Sequence, residues 1–165
     1  MIFELEPIFN NVGAELPVAY TMDWSDVPLN GVFPFKEPVS VRGEFRNRAG
    51  IVSVCVRVQF VLDMFCDRCA QPMRQSFDMQ VEHVLVRELA DERNDELILL
   101  ESFRMDLDEL VSDDIFLSLP TKFLCKDDCS GVCPTCGQNL NDGPCSCKKS
   151  VDPRLAGLLQ LLEDS

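Results

Sequence analysis

The sequence predicts an α+β protein: a mainly antiparallel β-sheet, barrel-like or strongly twisted, with a mid-chain helix, a cysteine-rich C-terminal module and a short terminal helix. Three observations carry this. Between residues 37 and 88 apolar and polar side chains alternate with the period of two that lays one face of a strand on a core. One helix signature with its own start and stop lies between Asp106 and Pro120. Six of the nine cysteines fall in one stretch, Cys125 to Cys147, CKDDCSGVCPTCGQNLNDGPCSC.

In chain order, the apolar runs at Ile2–Leu5 and Leu16–Tyr20 are broken by Pro7, Gly13, Pro17, Pro28 and Pro34, which predicts one or two strands followed by an irregular loop to about Lys36. The sole tryptophan, Trp24, lies in that loop and reads as a packing anchor, with a binding role as the alternative. In Glu37–Arg48, Val39, Val41 and Phe45 alternate with polar positions, and Asn47–Gly50 supplies a turn. In Ile51–Phe65, Val52, Val54, Val56, Val58, Phe60 and Leu62 share a face opposite Ser53, Arg57 and Gln59, with Cys55 a packing residue. In Met73–Glu88, Phe77, Met79, Val81 and Leu85 oppose Arg74, Ser76, Asp78, Gln80 and Glu82. Cys66-Asp-Arg-Cys69 then occupies the tip of the second hairpin.

Ala90–Glu96 reads as an acidic loop and Leu97–Met105 as a short strand pair or edge. Asp106 is the expected helix N-cap, with Glu109 completing a capping box; Leu107, Leu110, Val111 and Ile115 form the apolar face, and Pro120 ends the segment. Near the C-terminus Asp152-Pro153-Arg154 starts a helix with a Leu155, Leu158, Leu159, Leu162 stripe, expected to pack on the body. The corresponding domain division is 1–124 for the sheet domain, 125–150 for the cysteine-rich module and 151–165 for the terminal helix.

Composition narrows the function. At 165 residues and 46% hydrophobic the chain can bury one ordinary core, and no run approaches the ~18 apolar residues of a membrane span. The opening MIFELEPIFN has neither a basic nor an apolar leader segment, so a soluble, cytoplasmic protein is expected. A net charge of −13 argues against non-specific coating of nucleic acid. The charge is segregated, however: residues 88–115 hold eleven acids against Arg93 and Arg104, while residues 37–87 hold seven arginines against six acids. His83, the only histidine, falls in a strand, and Gly31, Gly43 and Gly50 are isolated. With no nucleophile–base pair and no phosphate loop, no active site can be assigned and an enzyme is not expected.

The cysteines carry the chemistry. Cys133-Pro-Thr-Cys136-Gly137 has the form of a metal knuckle, in which two thiolates three residues apart grip one ion and a glycine follows where the chain turns back. With Cys145-Ser-Cys147 it makes C-x2-C-x8-C-x-C, a zinc-ribbon-like pattern with no open ligand position, hence structural zinc rather than catalytic. Iron–sulfur ligation and disulfides are the competing readings; a reducing compartment favours metal. The preferred partition gives Cys133, Cys136, Cys145 and Cys147 one ion and joins Cys66 and Cys69 to Cys125 and Cys129 around another, two zinc ions in all. A crossed partition, and a single ion with a looser pair, stay open.

Arg42, Arg46, Arg57 and Arg74 fall on the polar sides of their strands, where they form either an RNA-binding patch or the cross-strand partners of Glu44, Asp78 and Glu82.

Taken together, Cys66-Asp-Arg-Cys69 after a long strand, the Asp106–Pro120 helix, the run Cys129-Ser-Gly-Val-Cys-Pro-Thr-Cys-Gly-Gln-Asn-Leu-Asn141 and Asp152-Pro153-Arg154-Leu155 resemble the YceD family of large ribosomal RNA subunit accumulation proteins, over most of residues 40–160. The resemblance implies a cytoplasmic bacterial factor, not an enzyme, that supports 23S rRNA synthesis or maturation and large-subunit assembly; plastid relatives are linked to precursor rRNA processing. The implied partner is an rRNA precursor or assembly intermediate. An acidic adaptor or chaperone for a basic ribosomal protein or a processing enzyme is the alternative. Neither a membrane nor a small-molecule substrate is expected. Only the cysteines carry over, as metal ligands.

Overall fold

The computed structural model describes residues 1–88, 97–100 and 102–147. In order these form β1 (Ile2–Glu4), α1 (Glu6–Asn10), β2 (Glu15–Met22), β3 (Val39–Arg48), β4 (Ile51–Phe65), β5 (Pro72–Val86), β6 (Leu97–Leu99), β7 (Arg104–Asp106) and α2 (Leu107–Ser118). Strands β2-β3-β4-β5-β6 make one sheet in sequence order, antiparallel except for the parallel β5–β6 edge, and β1 pairs with β7 in a separate ribbon. The sheet is open, so the barrel-like expectation is corrected. Among the described residues its edges are β2, bonded only to β3, and the three-residue β6, too short to reach round to it.

The alternation in the sequence sets the two faces. Val39, Val41, Phe45, Val54, Val58 and Leu62 are fully enclosed on the inner face, each contributing about 1.5–3 kcal/mol by burial. Phe60 and Phe77 face each other across β4 and β5 with rings stacked 4.9 Å apart. Gly43 lies where β3 closes on β4: a Cβ there would sit 2.1 Å from the Cys55 carbonyl oxygen, so no other residue fits. The β3–β4 turn is Ala49-Gly50, both at positive φ (53° and 88°), the geometry a two-residue hairpin needs for its strands to twist correctly.

α2 covers the inner face. Leu107, Val111 and Ile115 are fully buried in the core, and Asp114 hydrogen-bonds the His83 ring of β5 at 2.8 Å, fixing helix to sheet. Trp24 is a packing anchor, edge-on to Phe35 and stacked at 5.7 Å on Phe116 of α2. Asp106 caps α2 by accepting the Asp108 N–H at 3.1 Å. The return bond from Glu109 is absent among the described residues; Asp106 is also the last residue of β7, paired with Ile2.

Three further expectations are corrected or fall outside. The N-terminal stretch contains a helix, α1, which Pro7 suits because its fixed φ and missing N–H match a first helical turn. Cys55 is not a core residue but lies half-buried on the polar face, where Gln80 Nε2 approaches its sulfur at 3.3 Å. The expected terminal helix and the acidic loop expected over residues 90–96 lie outside the described residues.

Asn47, anticipated only as part of a turn, is a buried fastener. Its Nδ2 donates to Ile8 O at 2.8 Å, its Oδ1 accepts Gly50 N–H at 3.0 Å, and its backbone N–H reaches Ala14 O at 2.9 Å. Asn47→Ala leaves buried carbonyls and an N–H without partners, and urea denaturation should show a loss of about 1–3 kcal/mol; an exposed control such as Arg48→Ala should change stability by less than about 0.5 kcal/mol.

Candidate metal centres

The fifteen-residue strands β4 and β5 carry the Cys66–Cys69 turn at their common tip. There Cys66 N–H donates to Gln71 O at 2.9 Å and Ala70 N–H to Cys66 O at 2.8 Å, with Ala70 at φ +56°. The turn at Cys133–Cys136 repeats each feature: Cys133 N–H donates to Gln138 O at 2.8 Å, Gly137 N–H to Cys133 O at 2.9 Å, and Gly137 has φ +73°. The chain therefore holds two copies of one knuckle, and Ala70 occupies the left-handed position that Gly137 fills without strain.

Each knuckle meets a second cysteine pair. Asp67 draws in the incoming chain, its N–H donating to Phe123 O at 2.8 Å and its carboxylate accepting Phe123 N–H at 2.7 Å. Arg68 Nη1 donates to Cys129 O at 2.9 Å. The result is that Cys66, Cys69, Cys125 and Cys129 converge, as do Cys133, Cys136, Cys145 and Cys147, with the sulfurs of each tetrad within 4.8 Å of one another. The crossed partition does not occur.

The spacing fits a metal. Four sulfurs at about 2.3 Å from a tetrahedral zinc stand roughly 3.8 Å apart; Cys66 and Cys129 Sγ are separated by 3.7 Å, Cys69 and Cys125 Sγ by 3.6 Å. A disulfide requires about 2.05 Å, and all nine cysteines are free. No histidine or carboxylate joins either group among the described residues, so both are closed four-thiolate sites. Burial is uneven. In the first tetrad only Cys125 is exposed, whereas in the second only Cys133 is buried.

Backbone dipoles prepare two sulfurs for ionisation. Burial opposes the Cys66 thiolate, but N–H groups of Cys125, Cys69 and Arg68 outweigh it and bring the thiol down to about 6. The N–H groups of Cys136 and Thr135 likewise bring Cys133 to about 6. The Asn141 amide, whose Nδ2 lies 3.3 Å from the sulfur, lowers Cys129. Their neighbours go the other way: contact with Cys69 pushes Cys125 up to about 12, and contact with Cys136 pushes Cys147 up to about 12. Thiols packed this closely cannot all ionise alone, and a divalent cation would remove the conflict.

The four arginines are placed on the polar sheet face. Arg57 makes a bidentate pair with Asp78 at 2.6 Å, Arg46 reaches Glu82 at 3.1 Å, and Arg74 pairs with Glu37. Arg42 stands directly opposite Arg57 and makes no ion pair among the described residues. The supporting shell of Asp67, Arg68 and Asn141 was not visible in the sequence. Ligand spacing marks the sulfurs but carries no signal for the residues that orient them.

Fold and site define the class: an open, mainly antiparallel sheet bearing two closed cysteine tetrads of metal-binding geometry, one built at a hairpin tip. The family described as large ribosomal RNA subunit accumulation protein YceD matches residues 54–162, and the chain belongs to it. Uncharacterised proteins of Mycobacterium bovis and of two strains of Mycobacterium tuberculosis are each 31% identical over 101 residues, 59% of this chain and 49% of theirs. The chain thus spans about half the length of these relatives. No solved structure matches it.

If zinc fills both tetrads, elemental analysis of reduced protein should give two ions per chain, and a strong chelator should lower the thermal midpoint. In the loaded protein Gly137→Ala should cost about 1–2 kcal/mol through left-handed strain alone, since an added Cβ there meets nothing within 4 Å. Ala70→Gly should not destabilise. Equal losses from the two would show that the knuckles are not equivalent.

Proposed function

We propose that this chain is a non-enzymatic, zinc-binding cytoplasmic factor that supports 23S rRNA synthesis or maturation, and with it large-subunit assembly, by contacting precursor rRNA. The family match carries the reading, because its span of residues 54–162 contains all eight clustered cysteines. The part shared with the family is thus the double-knuckle unit and the strands that present it.

The polar sheet face is the proposed RNA contact. A shallow cleft of about 340 Å³ lies over Arg42, Cys55, Arg57 and Gln80. Arg42 can accept a phosphate directly, while Arg46, Arg57 and Arg74 must exchange a carboxylate partner for one. The net charge of −13 over the whole chain discourages indiscriminate coating.

That same pairing of three arginines with acids favours the second reading, an acidic adaptor for a basic ribosomal protein or a processing enzyme. Crosslinking in cells followed by sequencing of attached RNA separates the two. On the first reading crosslinks map to 23S precursors and fall at least tenfold in an Arg42→Glu/Arg57→Glu variant of unchanged stability. Absence of RNA crosslinks, with co-purification of a ribosomal protein that survives nuclease, would replace it with the second.

A further inference from the structure

Asn141 lies in the loop that joins the two cysteine pairs of the second tetrad, yet its side chain serves the first. Its Nδ2 donates to Cys129 Sγ at 3.3 Å and its Oδ1 accepts Ser130 N–H at 2.9 Å. Asn139 Oδ1 holds it in place, accepting the Asn141 backbone N–H at 3.0 Å and Nδ2 at 2.8 Å. The loop is anchored at both ends. Leu140 N–H donates to Gly131 O at 2.8 Å, and Gly131 is seated against the first knuckle so closely that a Cβ would lie 3.1 Å from Arg68 O. On the other side, Cys133 N–H donates to Gln138 O and Val132 bridges Asn139, so the path of the loop depends on the second knuckle.

We infer that the two tetrads are one thermodynamically coupled unit, in which a divalent thiophilic cation in the second tightens the first through Asn141, a positioning residue and not a ligand. An N–H donor on a ligating sulfur orients it and spreads its charge, and removing such a donor weakens metal binding. Asn141 can hold that position only while the loop is shaped, and the ion that joins Cys133 and Cys136 to Cys145 and Cys147 closes the loop from both sides. Coupling of this kind is reciprocal, so the first ion also tightens the second.

The inference rests on the metal reading, and the test separates the two. Zinc affinity of the full chain is measured by competition with a chromophoric chelator, with cobalt(II) as a spectroscopic stand-in. The parent is compared with Asn141→Ala, Asn141→Asp, Cys145→Ser/Cys147→Ser, and Asn141→Ala combined with the two serines. Circular dichroism monitors the sheet. Asn141→Ala and the serine pair should each weaken the first tetrad about 10- to 100-fold, and the combination should be no weaker than the worse of the two, because Asn141 has already lost its support. Asn141→Asp retains the acceptor for Ser130 N–H but sets a carboxylate against the sulfur, so its loss should match or exceed that of alanine and alter the cobalt–thiolate absorption. Two ions bound with independent affinities, multiplicative losses, or an aspartate variant within threefold of the parent would overturn the coupling alone. A chain that binds no ion would overturn the metal reading and the coupling with it.

Discussion

The convergence of Cys66 and Cys69 with Cys125 and Cys129 is the constraint on which the cysteine-bearing end of the described structure depends. These sulfurs come from positions 63 and 56 residues apart, paired at 3.7 and 3.6 Å. Closing a flexible loop of that length costs roughly 3–4 kcal/mol in chain entropy, and four close thiols add an ionisation conflict. Packing of α2 and Phe123 into the core meets part of the first cost, but among the described residues the cluster of Cys66, Cys69 and Cys129 itself has only Met73 and Leu124 packed against it. A shared cation would answer both, by joining the segments and stabilising the thiolates together.

The sheet provides the rigidity that such a joint needs. β4 and β5 run fourteen register pairs from Val52↔Leu85 to Phe65↔Pro72, and the inner face stays buried as far as Met64, one turn of pleat before Cys66. The knuckle therefore starts from a strand whose direction is fixed by core packing, and its first N–H and C=O groups are spent within the turn. Helix α2 then returns the chain to the same end, through Leu119 and Phe123, so that Asp67 can receive Phe123 from a defined direction. Among the described residues the second knuckle has no comparable support from the sheet. Its backbone is held by its own turn bonds and by the contacts of Gly131 and Asn141 with the first, which is why its ligands are the more exposed.

What was legible in the sequence follows from how local each determinant is. β3, β4 and β5 were readable because half-burial writes a period of two directly into Val39–Leu62 and Phe77–Leu85. α2 was readable because Asp106 and Pro120 bracket it. The preferred cysteine partition could be named, since each C-x2-C pair is a local unit, but choosing among pairings needed the topology that brings Phe123 beside Asp67. α1 was missed because five residues containing one proline leave no helical period to detect. The three-residue β6 and β7 lie in and around the Leu97–Met105 stretch expected as a short strand pair or edge, but they do not pair with each other: β6 lies parallel to the end of β5, and β7 pairs with β1, about a hundred residues earlier. Asn47 and Asn141 look like ordinary turn residues, and only the carbonyls and the sulfur that come to meet them reveal their work.

The polar face raises a different physical question, because its arginines are neither a bare patch nor a neutral surface. Arg57 gives Asp78 both of its forked N–H groups, a strong geometry, although the pair is exposed to solvent and thus screened. Arg42, facing it across the β3–β4 register, adds a like charge beside a guanidinium that is already compensated. A phosphate entering this cleft would gain two guanidinium partners while displacing one carboxylate, which could turn to water from its exposed position on β5. Binding by such exchange is weaker than binding to an open arginine cluster, and more selective, because a lone phosphate gives little return for breaking the Arg57–Asp78 pair. A backbone that also matches the neighbouring arginines along the strands gains several contacts at once. That is the kind of discrimination a strongly acidic protein needs if it is to hold one RNA segment and ignore the rest.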